Sequence, residues 1–362
     1  MTTTLQGRNI QTLTNKERTN VKTFKRFPSV EQFRSVVKQV KDTSSYVGQD
    51  EEGKPIFDYT RQLPTITFTG TVKLHGTNAA IGYSKQDGLW CQSRERILSI
   101  EKDNAGFAFW VESKKEFLTK VFEEIIDGDE TLYVYGEWAG KGVQKGVGIS
   151  ELDKCFYVFS LYRENGDKYL WECTDEFIDV ACIHSLSYNC LENNILPVDM
   201  FDTYFCCIDF NCPELVQNKL AEITEAVENE CPVAKSFGVS GIGEGVVWTA
   251  EWNNQVLRFK VKGEKHSSSK VKTLASVDVE KIGSAVEFAD SVVTDSRFNQ
   301  AIENVFNGES VDIKKLGEVI KWVMNDVLKE EIDTMADNSL EPKDVGKYVS
   351  QKVKEKFFAL SV

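Results

Sequence analysis

The reading of this chain turns on the stretch Thr71-Val72-Lys73-Leu74-His75-Gly76-Thr77-Asn78. Around it, Ile66, Phe68, Val72 and Leu74 occupy alternate positions, the period of a strand with one buried face, so Lys73 is turned to the opposite face. Directly behind the lysine come a titratable ring, a glycine, a hydroxyl and an amide. That composition bends the backbone sharply and surrounds the amine with hydrogen-bonding groups. Alone, the segment fits equally well an ordinary strand edge with an exposed lysine followed by a turn.

Four further segments repeat the design: a short strand offers one or two polar side chains to a common side. Leu132-Tyr133-Val134-Tyr135-Gly136-Glu137-Trp138 ends with Glu137 on the face of Tyr133 and Tyr135. Phe156-Tyr157-Val158-Phe159 sends Tyr157 and Phe159 one way. Glu244 stands between Gly243 and Gly245, which lets a ligand come close to the backbone. In Leu257-Arg258-Phe259-Lys260-Val261-Lys262 the apolar residues share one face, and Lys260 and Lys262 share the other. Taken singly, these carboxylates could be solvated strand ends, the aromatics core, and the lysines an exposed face.

Outward from these motifs, residues 29–41 carry Val30, Phe33, Val36, Val37 and Val40 at helical spacing. Residues 42–63 are polar and read as a loop or insertion. From about 64 to 262 the pattern is mainly short strands, with helices near 104–127 and 213–230, and Lys85-Gln86-Asp87-Gly88 signals a hairpin. After about 275 the stripes Leu316, Val319, Ile320, Val323, Val327 and Val345, Val349, Val353, Phe357 are helical, with Pro342 suited to a helix start. The Ser267-Ser268-Ser269 loop joins the two regions.

The chain has 362 residues, 41% apolar and 11% aromatic, a globular composition long enough for two domains. No apolar run is long enough to span a membrane, and the polar N-terminus lacks a secretory core. Nine cysteines without a Cys-x-x-Cys, and three scattered histidines, describe neither a disulfide framework nor a zinc site; Cys182-Ile183-His184 with Cys190 has no common metal spacing. Reduced thiols and a cytoplasmic location are expected. A net charge of −13 argues against sequence-blind attraction to nucleic acid, yet Arg258, Lys260, Lys262, Lys265, Lys270 and Lys272 face the single acid Glu264. Phosphate handled at one place, or a solvated lysine-rich loop, would account for that strip.

In order, Lys73-Leu74-His75-Gly76-Thr77-Asn78, Arg94 within Ser93-Arg94-Glu95-Arg96, Tyr135-Gly136-Glu137, Phe156-Tyr157-Val158-Phe159, Glu244-Gly245 and Lys260-Val261-Lys262 resemble motifs I, Ia, III, IIIa, IV and V of the covalent nucleotidyltransferases. Within that superfamily of ligases and capping enzymes, the chain looks like the RNA ligase 2 family of phages and RNA-editing ligases. DNA ligases usually show an acid where His75 stands and an arginine where Asn78 stands. The loop from Gly136 through Gln144-Lys145 also resembles that of the phage RNA ligases. The resemblance covers about residues 24–362. It implies an α+β fold: a flexible tail over 1–26, an ATP-grasp-like adenylation domain of antiparallel sheets with flanking helices over 27–272, and an all-helical RNA-binding domain over 275–362. A DNA ligase or capping enzyme would carry a β-rich OB domain there. Residues 1–26 and 42–63 depart from the short phage pattern.

The resemblance further implies that Lys73 attacks the α-phosphorus of ATP to form lysyl–AMP, with Mg²⁺ or Mn²⁺ held at Glu244. The nucleotide-contacting set would be Lys73, Leu74, Asn78, Arg94, Glu137, Phe159, Glu244, Lys260 and Lys262. In it Phe159 stacks on adenine, Glu137 contacts the ribose, and Arg94 and Asn78 engage phosphate or the RNA end. His75, Lys260 and Lys262 join Lys73 in catalysis. An amine of ordinary pKa, about 10.4, is neutral in only about one molecule in 2,500 at pH 7, so nearby positive charge is needed to favour the nucleophilic form. AMP would pass to an RNA 5′-phosphate and a 3′-hydroxyl would then seal the strand, with a nick in duplex RNA the expected substrate of a monomer. Lys314, Lys315, Lys321, Lys343 and Lys347 could give the helical domain a basic face. Three rivals remain: a DNA ligase or capping guanylyltransferase, a non-catalytic RNA-binding protein on the same scaffold, and another nucleotide-binding class. Gly140-Lys141-Gly142 and Gly241-Ile242-Gly243-Glu244-Gly245 lack P-loop spacing and do not open a helix, which disfavours the last.

Overall fold

A computed structural model describes residues 22–166, 168–172, 175–184, 190–266, 279–306 and 309–360. Most of the expected tail, the Ser267-Ser268-Ser269 loop, and Lys270 and Lys272 of the basic strip lie outside the described residues. The elements run in chain order as β1 (Glu31–Gln32), α1 (Phe33–Ser45), β2 (Tyr46–Gln49), β3 (Pro55–Phe57), β4 (Thr65–Lys73), β5 (Thr77–Ser84) and β6 (Gly88–Ser93). They continue with α2 (Phe107–Ser113), α3 (Lys115–Ile125), β7 (Thr131–Ala139), β8 (Cys155–Asn165), β9 (Lys168–Glu172), α4 (Asp175–His184), β10 (Ile195–Pro197) and β11 (Thr203–Asp209). Then follow α5 (Gln217–Asn229), α6 (Pro232–Ser236), β12 (Gly245–Trp252), β13 (Gln255–Lys262), α7 (Val279–Val292), α8 (Asp295–Phe306), α9 (Leu316–Glu330), α10 (Ile332–Asp337) and α11 (Pro342–Ala359). No described helix is long and apolar enough to cross a membrane.

Two compact units divide the chain, the first made of residues up to 29, 71–203 and 227–244. Its sheet has the order β10-β8-β7-β5-β6, with β9 added to β8. All pairs are antiparallel except the parallel β10–β8. One face carries Ile81, Leu132, Val134, Trp138, Phe156 and Val158 against Leu118, Phe122 and Phe177 of the helices, a buried apolar core. The expected hairpin forms at Lys85–Gly88: Gly88 takes a left-handed φ of +66°, and Ser84 Oγ accepts from the Asp87 amide at 3.0 Å.

The second unit holds residues 30–70, 204–226 and 245 onward. Its sheet has the order β1-β13-β12-β4-β11. Phe259 is its centre, with ring centroids 5.1 Å from Phe33, 5.2 Å from Phe68 and 6.2 Å from Trp248. The helices α7 to α11 form a core of their own on Val319, Val323, Val327, Val345, Val349, Val353 and Phe357, the two stripes read from the sequence. α11 opens at Pro342, where the Glu341 amide donates to Asp344 Oδ2 at 2.8 Å.

Two segments differ from expectation. The first helix begins at Phe33 rather than 29, because Glu31 and Gln32 pair in parallel with Phe259 and Lys260 and so spend their backbone groups on the sheet. Residues 42–63 are not one loop: α1 continues to Ser45 and β2 pairs antiparallel with β3. The polar run between these strands makes the turn, since Asp50 Oδ1 accepts from the amides of Glu52 and Lys54 and Gly53 supplies a φ of +77°. Phe259→Ala would open a void among three large rings, and urea unfolding should show a loss of about 3–5 kcal/mol.

Candidate active site

Lys73 is the last residue of β4, and its buried neighbours Val72 and Leu74 hold the backbone against the core. Its Nζ donates to Glu244 Oε2 at 2.6 Å, and His75 Nδ1 lies 3.3 Å from the same oxygen. Glu244 is only 3% exposed, so this carboxylate requires charged or hydrogen-bonding partners. Its seat depends on Gly243, whose amide donates to Val227 O at 3.1 Å; a Cβ there would meet that oxygen at 2.5 Å. The structure thus brings Lys73, His75 and Glu244 together.

Gly76 makes the second join. A Cβ at this position would lie 2.4 Å from Trp138 O, so only glycine lets the turn approach β7. At that distance the Gly76 amide donates to Glu137 Oε1 at 3.0 Å, and Gln144 Nε2 donates to Gly76 O at 3.3 Å. Asn78 stands opposite Glu137 in the β5–β7 ladder. Desolvation pushes the Glu137 carboxyl up to about 7; the Lys73 ammonium and the Gly76 hydrogen bond pull it back, Glu244 adds to the rise, and Arg94 opposes it. Arg94 itself is exposed just beyond β6, with its Nε 3.9 Å from Glu95.

Phe159 sits on the sheet face opposite the helices, half-buried, its ring centroid 5.0 Å from that of Phe27. Sequence reasoning left the segment before Phe27 as part of a tail. In the structure Tyr133 and Tyr135 donate to Thr23 O at 3.2 Å and Lys25 O at 2.8 Å, and Lys25 pairs with Glu164 at 2.8 Å. Phe27 also packs 5.1 Å from Tyr135 and 5.4 Å from Trp171. The only signal for this docking is the pair Phe24 and Phe27 inside a basic run. Lys260 and Lys262 lie on β13 in the second unit, opposite the buried Leu257, Phe259 and Val261. Lys260 Nζ donates to Val30 O at 2.9 Å, and Lys262 pairs across the ladder with Gly245.

Among the described residues no three His, Cys, Asp or Glu side chains gather as a metal site. His184 instead contacts Glu124, Nε2 to Oε2 at 2.6 Å. A cation at Glu244 would take one buried carboxylate plus substrate oxygens, a donor set that suits Mg²⁺ or Mn²⁺.

An anchored lysine, a buried carboxylate and an imidazole beside a strand-borne second carboxylate are the equipment of a group-transfer centre. The family model for RNA ligase matches residues 66–262, more than half of the chain, and the protein belongs to that family. No curated protein matches the sequence. Among solved structures it is similar to the Naegleria gruberi RNA ligase with PPi, at 15% identity and a TM-score of 0.41, covering 68% of this chain and 58% of that one. A mutant of the Naegleria gruberi enzyme with AMP and Mn gives 14% identity and a TM-score of 0.43 over the same shares. Another, with ATP and Mn, gives 14% and 0.41. The chain thus spans 58% of the length of these ligases.

The raised Glu137 pKa has a consequence for stability. From the ordinary carboxyl value of 4.5 up to about 7, the folded protein keeps a proton there that the unfolded chain has lost, so this group's contribution falls as pH rises through that window. Glu137→Gln cannot titrate. Its melting temperature relative to the parent should climb from pH 4.5 to 7 and level off above; a flat difference would contradict the assignment.

Proposed function

We propose that the protein is an ATP-dependent RNA ligase that joins 3′-hydroxyl and 5′-phosphate RNA ends, at nicks in duplex RNA, through a lysyl–AMP intermediate. The observation that carries this reading is the 2.6 Å pairing of Lys73 with the buried Glu244 inside the family match. Lys73 Nζ attacks the α-phosphorus of ATP; the new N–P bond forms as the bond to pyrophosphate breaks. The ammonium sheds its proton first, and Glu244 Oε2 is an acceptor in reach. Glu244 would hold a divalent cation, which would supply positive charge to the phosphates. Lys260 and Lys262 are the phosphate lysines by their motif, Phe159 stacks the adenine, and Glu137 holds the ribose while its other partner, the Gly76 amide, fixes its orientation. His75 stays on Glu244 and holds that carboxylate in place. Leu74, Asn78 and Arg94 complete the nucleotide and RNA-end contacts. The AMP then moves to the RNA 5′-phosphate, and the adjoining 3′-hydroxyl displaces it to close the strand.

Incubation with α-labelled ATP and Mg²⁺ should label the protein covalently, and Lys73→Ala should abolish the label; a label that survives the substitution refutes the assignment. GTP should not replace ATP, and nicked RNA should be sealed in preference to nicked DNA. Phe159→Ala should weaken ATP about 5- to 150-fold, the worth of about 1–3 kcal/mol for one stacked base, seen as a raised half-saturation for labelling.

A further inference from the structure

Within the second unit, α1 and α11 face each other across a cavity of about 500 Å³. Arg34 and Val37 line it from one helix, Lys343, Lys347 and Tyr348 from the other, with Glu214 between. The acids here are already matched. Glu214 accepts from Lys347 at 2.5 Å and from the Tyr348 hydroxyl at 2.8 Å, while Asp344 pairs with Lys281 at 2.8 Å. Asp42 pairs with Lys38, and Lys343 has Glu341 at 2.5 Å. Arg34, Lys41 and Lys354 are then left in surplus, with no salt bridge to a carboxylate among the described residues.

Lys41 stands within the field of Lys354 and Lys347. The Lys41 ammonium is held below its ordinary pKa, first by desolvation and then by Lys354 and Lys347, with Asp42 opposing them. Its Nζ stands 5.5 Å from the centroid of the Tyr59 ring, which in turn stacks on Phe57 at 5.8 Å. Beside these rings the β2–β3 ribbon leaves Tyr46 and Ile56 more than 40% exposed. Along α1, Arg34 and Lys41 are seven residues apart, as are Lys347 and Lys354 along α11. Each pair marks a rail about 10 Å long on one helix face. Spaced cations bordered by exposed rings suit a polyanion with stackable bases, not a single small anion. On a chain of net charge −13 such a surplus is a local feature.

We propose that this groove between α1 and α11, with the β2–β3 ribbon at its border, is the seat of the phosphate backbone of the RNA substrate. The proposal rests on the ligase reading for the identity of the polyanion. It gives the 42–63 segment a role, since the ribbon offers base-sized rings beside the rails.

The test is fluorescence anisotropy of the full chain with a labelled nicked RNA duplex over a series of salt concentrations. For Lys41→Ala/Lys354→Ala, binding at low salt should weaken about tenfold. The slope of log affinity against log salt should become shallower by about 1.4–1.8, the loss of two phosphate contacts. Lys41→Arg/Lys354→Arg should restore both, and AMP labelling at Lys73 should be unchanged. Unaltered affinity and slope in the alanine pair overturn the proposal, as does equal weakening in the arginine pair or equally tight competition by an acidic peptide. If the parent takes no label from ATP while RNA binding still depends on Lys41 and Lys354, the ligase reading fails and the groove stands.

Discussion

The ion pair between Lys73 and Glu244 is the contact that the candidate site depends on. A carboxylate 3% exposed is costly to bury unless a cation meets it, and Lys73, itself 20% exposed, does so at 2.6 Å. The partners are far apart in sequence, so the chain must return after 171 residues to within hydrogen-bond reach. That return is built by glycine: Gly243 lets the segment before β12 lie against Val227 O, and Gly76 lets the turn after β4 lie against Trp138 O. The pair also defines a resting state. An ammonium donated to a carboxylate is positioned but not nucleophilic, so the proposed reaction requires that its proton leave first, with Glu244 Oε2 in reach to accept it.

Two carboxylates flank this amine, and their surroundings divide their roles. Glu244 has both Lys73 and His75 on one oxygen. Glu137 has a backbone amide and a more distant share of the Lys73 field, and desolvation prevails, lifting it to about 7. The negative charge of Glu244 adds to that rise, and the Lys73 ammonium opposes it. A ligand bringing phosphates would change this balance further, and the proposed phosphate lysines would supply the opposing charge.

Periodicity made part of this legible. Ile66, Phe68, Val72 and Leu74 are buried as the alternation requires, Leu257, Phe259 and Val261 likewise, and the valine stripes of α9 and α11 form the helical core. Motif order then drew Lys73, Glu137 and Glu244 together, which no local pattern could do. What stayed hidden depends on partners distant in sequence. Lys260 Nζ bonds to Val30 O across 230 positions, and Glu31 and Gln32 leave a helical pattern because β13 offers a parallel edge. The ribbon at Tyr46–Phe57 was masked by its own turn: Asp50 and Gly53 read as loop, and they are the means by which two three- to four-residue strands pair. The docking of Phe27 had no periodic signature at all.

The placement of Phe159 shows how a local irregularity can serve a site. Along β8 the pairing with β7 shifts between Tyr135 and Gly136, from Ser160 to Val158, leaving Phe159 as an extra residue. A bulge of this kind carries two successive side chains toward one side. Accordingly Phe156, Val158 and Leu161 all face the helix-covered core, whereas Tyr157 packs on Phe201, Phe159 on Phe27, and Tyr162 on Tyr133 and Trp171. A strictly alternating strand that kept Phe156 and Val158 in the core would send both Leu161 and Tyr162 to the wrong face. The bulge keeps the core continuous on one side while collecting aromatic rings on the other. The proposed base-stacking residue is thereby set within the central sheet of the first unit, next to the strand that carries Glu137.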